Sequence, residues 1–266
     1  MTIYTLGSGH GDSTFSRFNS STVYETESGT LYFVDAGAPA EALLRRKGLH
    51  IKNVRACFIT HMHDDHAGGL SGLIKQILKY SKEREFPFVL SLPEEGAIEA
   101  LKNWMFALHE TADSNCLDYR FVDDGEIYED DELTVTAIRT RHLRTLGRTK
   151  GDPCSFAYML HFKKENKTVL HTGDLTNDFS DFPRICAERY FDVCLCEATH
   201  YAPCDAIGPF KKANFGKLIF THISDKWHTR IGIGWEADNG EKRLLSEFKE
   251  LAYPCQIAHD GDEFVL

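Results

Sequence analysis

Hydrophobic residues in the first half of the chain form two successive units, each a strand-like run followed by a helical pattern. Residues 54–60 are a largely apolar run with the length of a buried strand, and leucine and isoleucine recur at helical spacing within residues 70–82. Residues 87–92 and 94–109 repeat this order. The pattern predicts strand, helix, strand and helix, which is typical of a sheet whose strands are joined by helical crossovers.

The rest of the chain carries mainly strand patterns separated by turn residues. The predicted strand segments are residues 3–6, 21–26, 31–35, 126–139, 155–162, 168–171, 193–197 and 217–221. A further helix is predicted around residues 242–251, a hairpin tip at residues 164–166, and a closing hairpin that turns at Asp260-Gly261. Antiparallel strands combined with helical crossovers predict an α/β (α+β) fold, in which two sheets pack face to face with helices outside. Polar residues at strand ends would then gather on one rim.

The composition narrows the class of protein. The 266 residues are 42% hydrophobic and 26% charged, without an internal repeat or a linker, so residues 1–266 are interpreted as a single domain. No stretch approaches about 18 uninterrupted apolar residues, and no basic region precedes the first strand-like run, which disfavours membrane insertion and secretion. Eight scattered cysteines without a Cys-x-x-Cys pair are typical of reduced thiols, so the expected location is cytoplasmic.

The charge balance argues against a large nucleic-acid partner. Lys and Arg number 30 against 40 Asp and Glu, and the resulting net charge of −10 repels phosphate backbones unless positive charge is concentrated locally. One local group of arginines would either bind a phosphate or lie solvated on the surface: Arg139, Arg141, Arg144 and Arg148. The balance therefore favours a small anionic substrate.

The segment THMHDDHAGG, residues 60–69, carries the strongest chemical signal. Counted from its first histidine, the candidate ligands at positions one, three, five and six are His61, His63, Asp65 and His66. Imidazole nitrogen and carboxylate oxygen bind zinc, iron or manganese, and ligands so close in sequence surround a cation only where the backbone turns sharply. A strand that runs into a helix start provides that turn. A solvated polar loop is the alternative, but three histidines in six residues have little use there.

One segment cannot complete the coordination of two cations, so further ligands are predicted at other strand ends. His142, Asp174 and His222 each follow a predicted apolar or strand-like run, and Gly173 would let the backbone turn tightly before Asp174. Taken singly, each of the three could be an ordinary surface histidine or turn aspartate, and for His142 the two interpretations have about equal weight. Their shared position at strand ends favours the metal-ligand interpretation.

The motifs together resemble the metallo-β-lactamase superfamily of metal-dependent hydrolases. They are LGSGHG, FVDAG, THMHDDHAGG, HTGD, CEATH, THIS and the terminal AHDGD. Among the branches the sequence is most similar to the ribonuclease Z-like group, because of the Glu-Ala-Thr stretch and the Thr-His-x-Ser motif. The resemblance implies a four-layer αββα sandwich and two divalent metal ions, with zinc expected and manganese or iron accepted by the same ligands. It implies that one ion is bound by His61, His63 and His142, the other by Asp65, His66 and His222, and that Asp174 bridges both.

The resemblance also implies a mechanism. Two adjacent cations lower the pKa of a shared water to about 7, so a metal-bridging hydroxide is available as the nucleophile. Asp65 would orient this hydroxide and accept its proton. Glu197 and His200 of CEATH would deliver a proton to the leaving group or support a ligand histidine. In the ribonuclease Z-like group this glutamate partners a histidine from a downstream motif not found here, so His200 as its substitute is a hypothesis.

The predicted function is a phosphodiesterase that acts on a small phosphodiester or cyclic phosphate. Only the 31 residues 143–173 separate His142 from Asp174, too few for the long arm that grips tRNA in ribonuclease Z. A carboxyl-ester, thioester or lactone hydrolase on the same metal pair is the alternative, whereas the complete ligand set disfavours a metal-binding module without catalysis. Further candidates for contact with an anionic substrate group are Ser8, His10, Ser224 and Lys226. Relatives often dimerise, so a homodimer stays open.

Overall fold

Two seven-stranded β-sheets form the centre of the structure, a computed structural model that describes residues 1–12, 16–143, 154–224, 227 and 240–266. The strands are β1 (Thr2–Gly7), β2 (Ser21–Glu25), β3 (Leu31–Ala36), β4 (Val54–Phe58), β5 (Phe88–Leu92), β6 (Leu117–Phe121), β7 (Gly125–Glu129), β8 (Leu133–Thr140), β9 (Ser155–Phe162), β10 (Lys167–His171), β11 (Tyr190–Phe191), β12 (Val193–Ala198), β13 (Asn214–Phe215), β14 (Leu218–Ile223), β15 (Cys255–Ile257) and β16 (Asp262–Val265). The first sheet has the order β16-β1-β2-β3-β4-β5-β6, and the second the order β15-β14-β12-β10-β9-β8-β7. Strands β11 and β13 pair as a separate short ribbon.

Helices cover the outer face of each sheet. They are α1 (Ala40–Arg46), α2 (Asp64–Ala67), α3 (Leu70–Lys79), α4 (Glu95–Ala107), α5 (Pro203–Lys212) and α6 (Gly240–Glu247), with short 3-10 helices at Ile51–Asn53, Ser81–Glu83 and Arg184–Ala187. Within the described ranges, no helix combines the length and the apolar character needed to cross a membrane.

Three hydrophobic clusters separate four layers. Tyr32, Phe58 and Tyr158 belong to the cluster in which side chains of the two sheets meet. Outside the first sheet, the buried face of α3 packs with α1 and α4, because its apolar residues recur every three or four positions. Outside the second sheet, Phe210 of α5 and Leu244 of α6 share a third cluster. The expected αββα sandwich is therefore confirmed.

Parallel pairing in the second sheet brings the carboxyl ends of several strands to one edge. Strand β12 pairs in parallel with both β10 and β14, so the carboxyl ends of all three lie on the same side. Strand β4 of the first sheet likewise leads directly into residues 60–69. This edge is where the predicted polar residues gather.

The predicted closing hairpin is wrong. A turn does occur, since Gly261 has a φ of +84° and the Asp262 N–H donates to His259 O over 3.1 Å. The flanking strands do not pair with each other, because β15 joins β14 in the second sheet whereas β16 joins β1 in the first. The Gly261 N–H donates to Thr5 O of β1, which draws the last strand across to the other sheet. The turn therefore connects the two sheets.

Candidate metal centre

Four chain segments bring the seven predicted ligand side chains together at this edge. His61, His63, Asp65 and His66 lie between the end of β4 and the end of α2. His142 follows β8, Asp174 follows β10, and His222 is the penultimate residue of β14, where its φ of +49° departs from extended backbone. The contacts among these seven residues define two halves of one site.

The first half consists of three histidines and one oxygen of Asp174. The Nε2 atoms of His61 and His142 each lie 3.6 Å from Asp174 Oδ2, and His61 Nε2 lies 2.9 Å from His63 Nδ1. One ligand atom from each of the four residues lies within 4.8 Å of the others. A cation bonded at about 2.0–2.1 Å to tetrahedral ligands separates them by about 3.4 Å. The spacing therefore fits one cation.

The second half faces the other oxygen of Asp174. His66 Nε2 lies 3.3 Å and His222 Nδ1 lies 3.6 Å from Asp174 Oδ1. Asp65 Oδ2 lies 3.3 Å from His66 Nε2 and 3.0 Å from His222 Nε2. The two oxygens of Asp174 thus face two different groups of side chains, which is the arrangement required of a bridging carboxylate.

Buried polar atoms without partners indicate that the site is built for cations. In the described residues, four buried atoms at the centre have no hydrogen-bond partner: His66 Nε2, His142 Nε2, His222 Nδ1 and Asp174 Oδ1. Buried polar groups in folded proteins are nearly always hydrogen-bonded. A cluster of four buried atoms without partners is therefore expected where bound cations would interact with them. The residues present therefore fit two divalent cations.

The protonation of the ligands agrees with this fit. Burial, together with neighbouring His66, lowers the pKa of His61 well below its ordinary value, and burial also lowers the pKa of His63 and His142. Neutral imidazole is the form that binds a metal. His66 differs, because Asp174 and Asp35 outweigh its burial and raise its pKa well above the ordinary value. A cation at His66 Nε2 would therefore take the place of a proton.

Asp35 contacts Nδ1 of the predicted ligand His66, on the side of the ring opposite Nε2, and has no assigned role in the sequence interpretation. His66 Nδ1 donates to Asp35 Oδ2 over 2.7 Å, and the Thr60 N–H donates to Asp35 Oδ1 over 2.8 Å. Because Nδ1 is fixed in this way, Nε2 of His66 points into the centre. The sequence feature that could have identified Asp35 is its position in FVDAG, where a carboxylate follows an apolar strand and shortly precedes a glycine.

Asp35→Asn is expected to lower the affinity for the cation at His66 by about 10- to 100-fold, since the ring loses its charged acceptor. Competition with a chromophoric chelator measures this affinity. Asp130→Asn is the matched control, because Asp130 is a buried carboxylate bonded to Tyr32, Tyr128 and Arg55 but not to a ligand. Equal affinity in Asp35→Asn and the wild type would refute the role of Asp35.

The tight turn predicted at Gly173 is present. Its φ is +56°, and a Cβ there would lie 2.8 Å from Thr60 Cβ and 2.9 Å from Phe156 O. A side chain at this position is therefore both strained and obstructed. The turn lets Asp174 reach the centre directly after β10.

Glu197 and His200 form a hydrogen-bonded pair beside the centre. Glu197 is buried, and its carboxylate accepts from the backbone N–H groups of Leu175, Thr199 and His200 at 2.6–3.0 Å. His200 Nδ1 donates to Glu197 Oε2 over 2.8 Å and lies 3.7 Å from Asp174 Oδ2. Burial opposes protonation of His200, but Glu197 raises its pKa to about 9. The side chain of His200 is 29% exposed, so the pair reaches the open side of the site.

The residues predicted to contact an anionic substrate differ in whether they are available to it. The Ser8 hydroxyl is fully buried and bonded to Asp260 and Arg17, so it is not available to a substrate. Arg139 is paired with Asp123 at 2.8 Å and Asp124 at 3.1 Å, and it is not a free phosphate-binding group. His10 does lie beside the centre, with its ring centroid 6.5 Å from that of His222. Three further candidates lie outside the described residues: Arg144, Arg148 and Lys226.

Comparison with known proteins finds relatives over most of the chain. A sequence profile of the family described as "Anti-Pycsar protein Apyc1" matches residues 1–230, a span that contains all seven predicted ligands. A ribonuclease Z from Listeria monocytogenes serotype 4b (strain CLIP80459) is 22% identical over 283 residues, covering 88% of this chain and 88% of the relative.

Solved structures are similar across the whole fold. The metallo-β-lactamase fold protein YhfI from Bacillus subtilis has a TM-score of 0.72 and 16% identity, covering 99% of this chain and 98% of its own. The short form of human tRNase Z has a TM-score of 0.69 and 20% identity, covering 100% of this chain and 99% of its own. Both likenesses agree with the four-layer architecture described above.

Proposed function

The chain belongs to the family of the anti-Pycsar protein Apyc1, within the metallo-β-lactamase superfamily of metal-dependent hydrolases, and on this premise we propose that it is a phosphodiesterase for a small phosphodiester or cyclic phosphate. The observation that carries the proposal is the position of Asp174, whose two oxygens face two separate groups of ligands. A ribonuclease is a phosphodiesterase, so the ribonuclease Z relative supports the same type of scissile bond.

Seven side chains would hold the two cations. His61, His63 and His142 would bind one and Asp65, His66 and His222 the other, with Asp174 shared. We expect zinc, although manganese and iron accept the same mixture of imidazole and carboxylate. When bound, two such cations supply an acidified water and positive charge beside the phosphoryl oxygens.

Asp65 would direct the attacking water. Its Oδ2 atom lies between His66 and His222, and although burial opposes ionisation, the hydrogen bond from His222 and the adjacent imidazole of His66 lower the pKa of Asp65. The carboxylate is therefore ionised and can accept a hydrogen bond from the water. A fixed acceptor orients the lone pair of the water toward the phosphorus, and Asp65 would receive the proton as the new P–O bond forms.

His200 would donate a proton to the leaving oxygen. Its Nδ1 is held by Glu197, so Nε2–H would be the proton donor to the substrate, and the ring lies close to the centre. Glu197 is itself fixed by three backbone N–H groups, which leaves its carboxylate little freedom to move. In this arrangement Glu197 orients the imidazole and stabilises its protonated form.

The substrate is proposed to be small. Strands β9 and β10 occupy residues 155–171 of the connection between His142 and Asp174, which leaves little chain for an arm that grips RNA. The net charge of −10 also disfavours a long polyanion. A small diester has fewer phosphates to repel, and one phosphate suffices for the two cations.

Cation loading and a choice of substrates test the proposed function. The protein loaded with zinc or manganese is expected to hydrolyse bis-p-nitrophenyl phosphate, to lose that activity on dialysis against a chelator, and to regain it when the cation is restored. Hydrolysis of thioester, carboxyl-ester or lactone substrates in place of the phosphodiester would overturn the phosphodiesterase proposal while retaining the cation-dependent centre.

A further inference from the structure

A buried arginine lies beneath the glycine-rich loop formed by residues 8–12. The side chain of Arg17 is 3% exposed. Its Nη1 donates to Ser8 Oγ over 2.6 Å and also to Ala258 O, and its Nη2 donates to Glu241 Oε1 over 2.7 Å. One guanidinium thus binds the loop, the first turn of α6 and the segment after β15.

Asp260 fastens the same loop from a second side. Its Oδ1 accepts from Ser8 N over 2.9 Å and from Ser8 Oγ over 2.6 Å, and its Oδ2 accepts from Phe18 N over 2.6 Å. Both the start of the loop and the residue after Arg17 are therefore bonded to the C-terminal turn. The contacts to Ala258, Glu241 and Asp260 fix the loop through residues more than 200 positions away in sequence.

The loop lies directly against the second half of the metal centre. Ser8 O accepts from the N–H of Ile223, the residue after His222, over 2.8 Å. A Cβ at Gly11 would lie 3.3 Å from Asp65 Oδ2, so the backbone there approaches the carboxylate closely. The loop therefore forms a wall over Asp65 and His222.

Stability alone is a weak reason for a charge at this position. Burying a guanidinium has a desolvation cost, and a well-packed apolar side chain is often as stabilising as a buried ion pair. What an apolar side chain cannot do is bind acceptors on three segments in fixed directions, whereas the planar guanidinium does. Lysine would supply the charge but not the two-pronged geometry.

We propose that Arg17 is a positioning residue that holds residues 8–12 as the substrate-facing wall above Asp65 and His222. The substrate-facing part of this inference rests on the proposed function. The positioning part concerns the loop alone and can be measured without turnover.

Hydrogen–deuterium exchange of the cation-loaded protein tests the positioning. In Arg17→Met, the amides of Ser8 and Gly9, which donate to Asp260 and Phe18, are expected to exchange at least about tenfold faster, because their local opening becomes easier. Arg17→Lys is expected to give the same result. The content of bound cations should remain at the wild-type value, since Arg17 is not a ligand.

Steady-state kinetics with bis-p-nitrophenyl phosphate test the substrate-facing role. Arg17→Met is expected to raise KM about tenfold and to change kcat by less than about threefold, because a displaced wall weakens binding more than chemistry. Arg55→Met is the matched control, because Arg55 also forms ion pairs, with Asp130 and Asp131. Arg55 lies near the start of β4, whereas the site lies beyond the end of that strand. Arg55→Met should lower stability without changing KM or the exchange of Ser8 and Gly9.

Each outcome decides one part of the inference. Unchanged exchange at Ser8 and Gly9 in Arg17→Met, or the same change in Arg55→Met, overturns the positioning role. Faster exchange with unchanged KM overturns the substrate-facing role. A protein without phosphodiesterase activity refutes the proposed function, and exchange still decides the positioning. Should Arg17→Met fail to fold, Glu241→Gln removes the ionic partner alone and is expected to accelerate the same two amides, whereas wild-type exchange there would refute the proposal.

Discussion

Asp174→Ala is expected to lower kcat/KM for a phosphodiester by more than about 10³-fold. Loss of a single group that stabilises the transition state already costs about 10²–10³ in rate, and Asp174 serves both halves of the centre. Without its carboxylate, each half would lose a proposed ligand, and repulsion between the two cations would no longer be offset by a shared negative charge. Steady-state kinetics and cation analysis on the same sample measure both effects.

Asp192→Ala is the matched control for Asp174. Asp192 lies at the start of β12, accepts from the Thr168 N–H and pairs with Lys167 over 2.9 Å, so its loss removes a partly buried carboxylate of the same sheet far from the centre. We expect it to retain the cations and wild-type kcat/KM. Near-normal turnover in Asp174→Ala with a full cation content would show that the centre does not depend on a bridge.

His200→Ala is expected to lower kcat by about 10²–10³-fold for a diester whose leaving group is an alkoxide, because general acid catalysis is worth about 10²–10⁴. A p-nitrophenolate leaving group is stable as an anion at neutral pH and needs little help. With bis-p-nitrophenyl phosphate, the same variant should therefore lose less than about tenfold. The ratio between the two substrates is the measured quantity.

An equal loss on both substrates would mean that His200 acts only as a structural neighbour of His142 and His222, whose rings it contacts. Cation content in His200→Ala separates the two cases further. Retained cations with a large difference between the substrates support proton donation. Lost cations would assign His200 to support of the centre.

Sequence patterns were informative where function depends on local spacing. His61, His63, Asp65 and His66 lie within six residues, so the candidate ligand atoms of that short segment can be identified without knowing what packs around them. Asp174 and His222 were predictable because parallel pairing of β10, β12 and β14 places their carboxyl ends together. His142 reaches the same edge after β8, because β8 is antiparallel to β9 and β9 is antiparallel to β10. The structure brings all of these side chains together, whereas cation binding by each of them stays a prediction.

Contacts between distant segments could not be predicted in the same way. Asp35 meets His66 across 31 positions, and Arg17 meets Glu241 across 224 positions. The FVDAG motif marks Asp35 as a carboxylate at a strand end, but nothing local to either pair shows which distant residue its members contact. The final turn shows the same limit, since the residues at Asp260-Gly261 specify a turn but not which sheet receives the strand after it.

Helices α1 and α5 were also missed for local reasons. Helix α1 has only seven residues, too few for a repeating apolar pattern. Helix α5 contains Gly208 and Pro209, both poor helix formers, and its stability comes instead from packing of Ala206 and Phe210 into the third cluster. In α4 the opposite error arises, because Trp104 fits the apolar spacing yet is 57% exposed. Tertiary packing decides each of these cases.

Anomalous diffraction from crystals of the zinc-loaded protein tests the two-cation centre most directly. The account predicts two zinc peaks about 3.5–4 Å apart, one bonded to His61, His63 and His142 and the other to Asp65, His66 and His222, with an oxygen of Asp174 on each. A single peak, or a pair in which Asp174 touches one zinc or none, would contradict it.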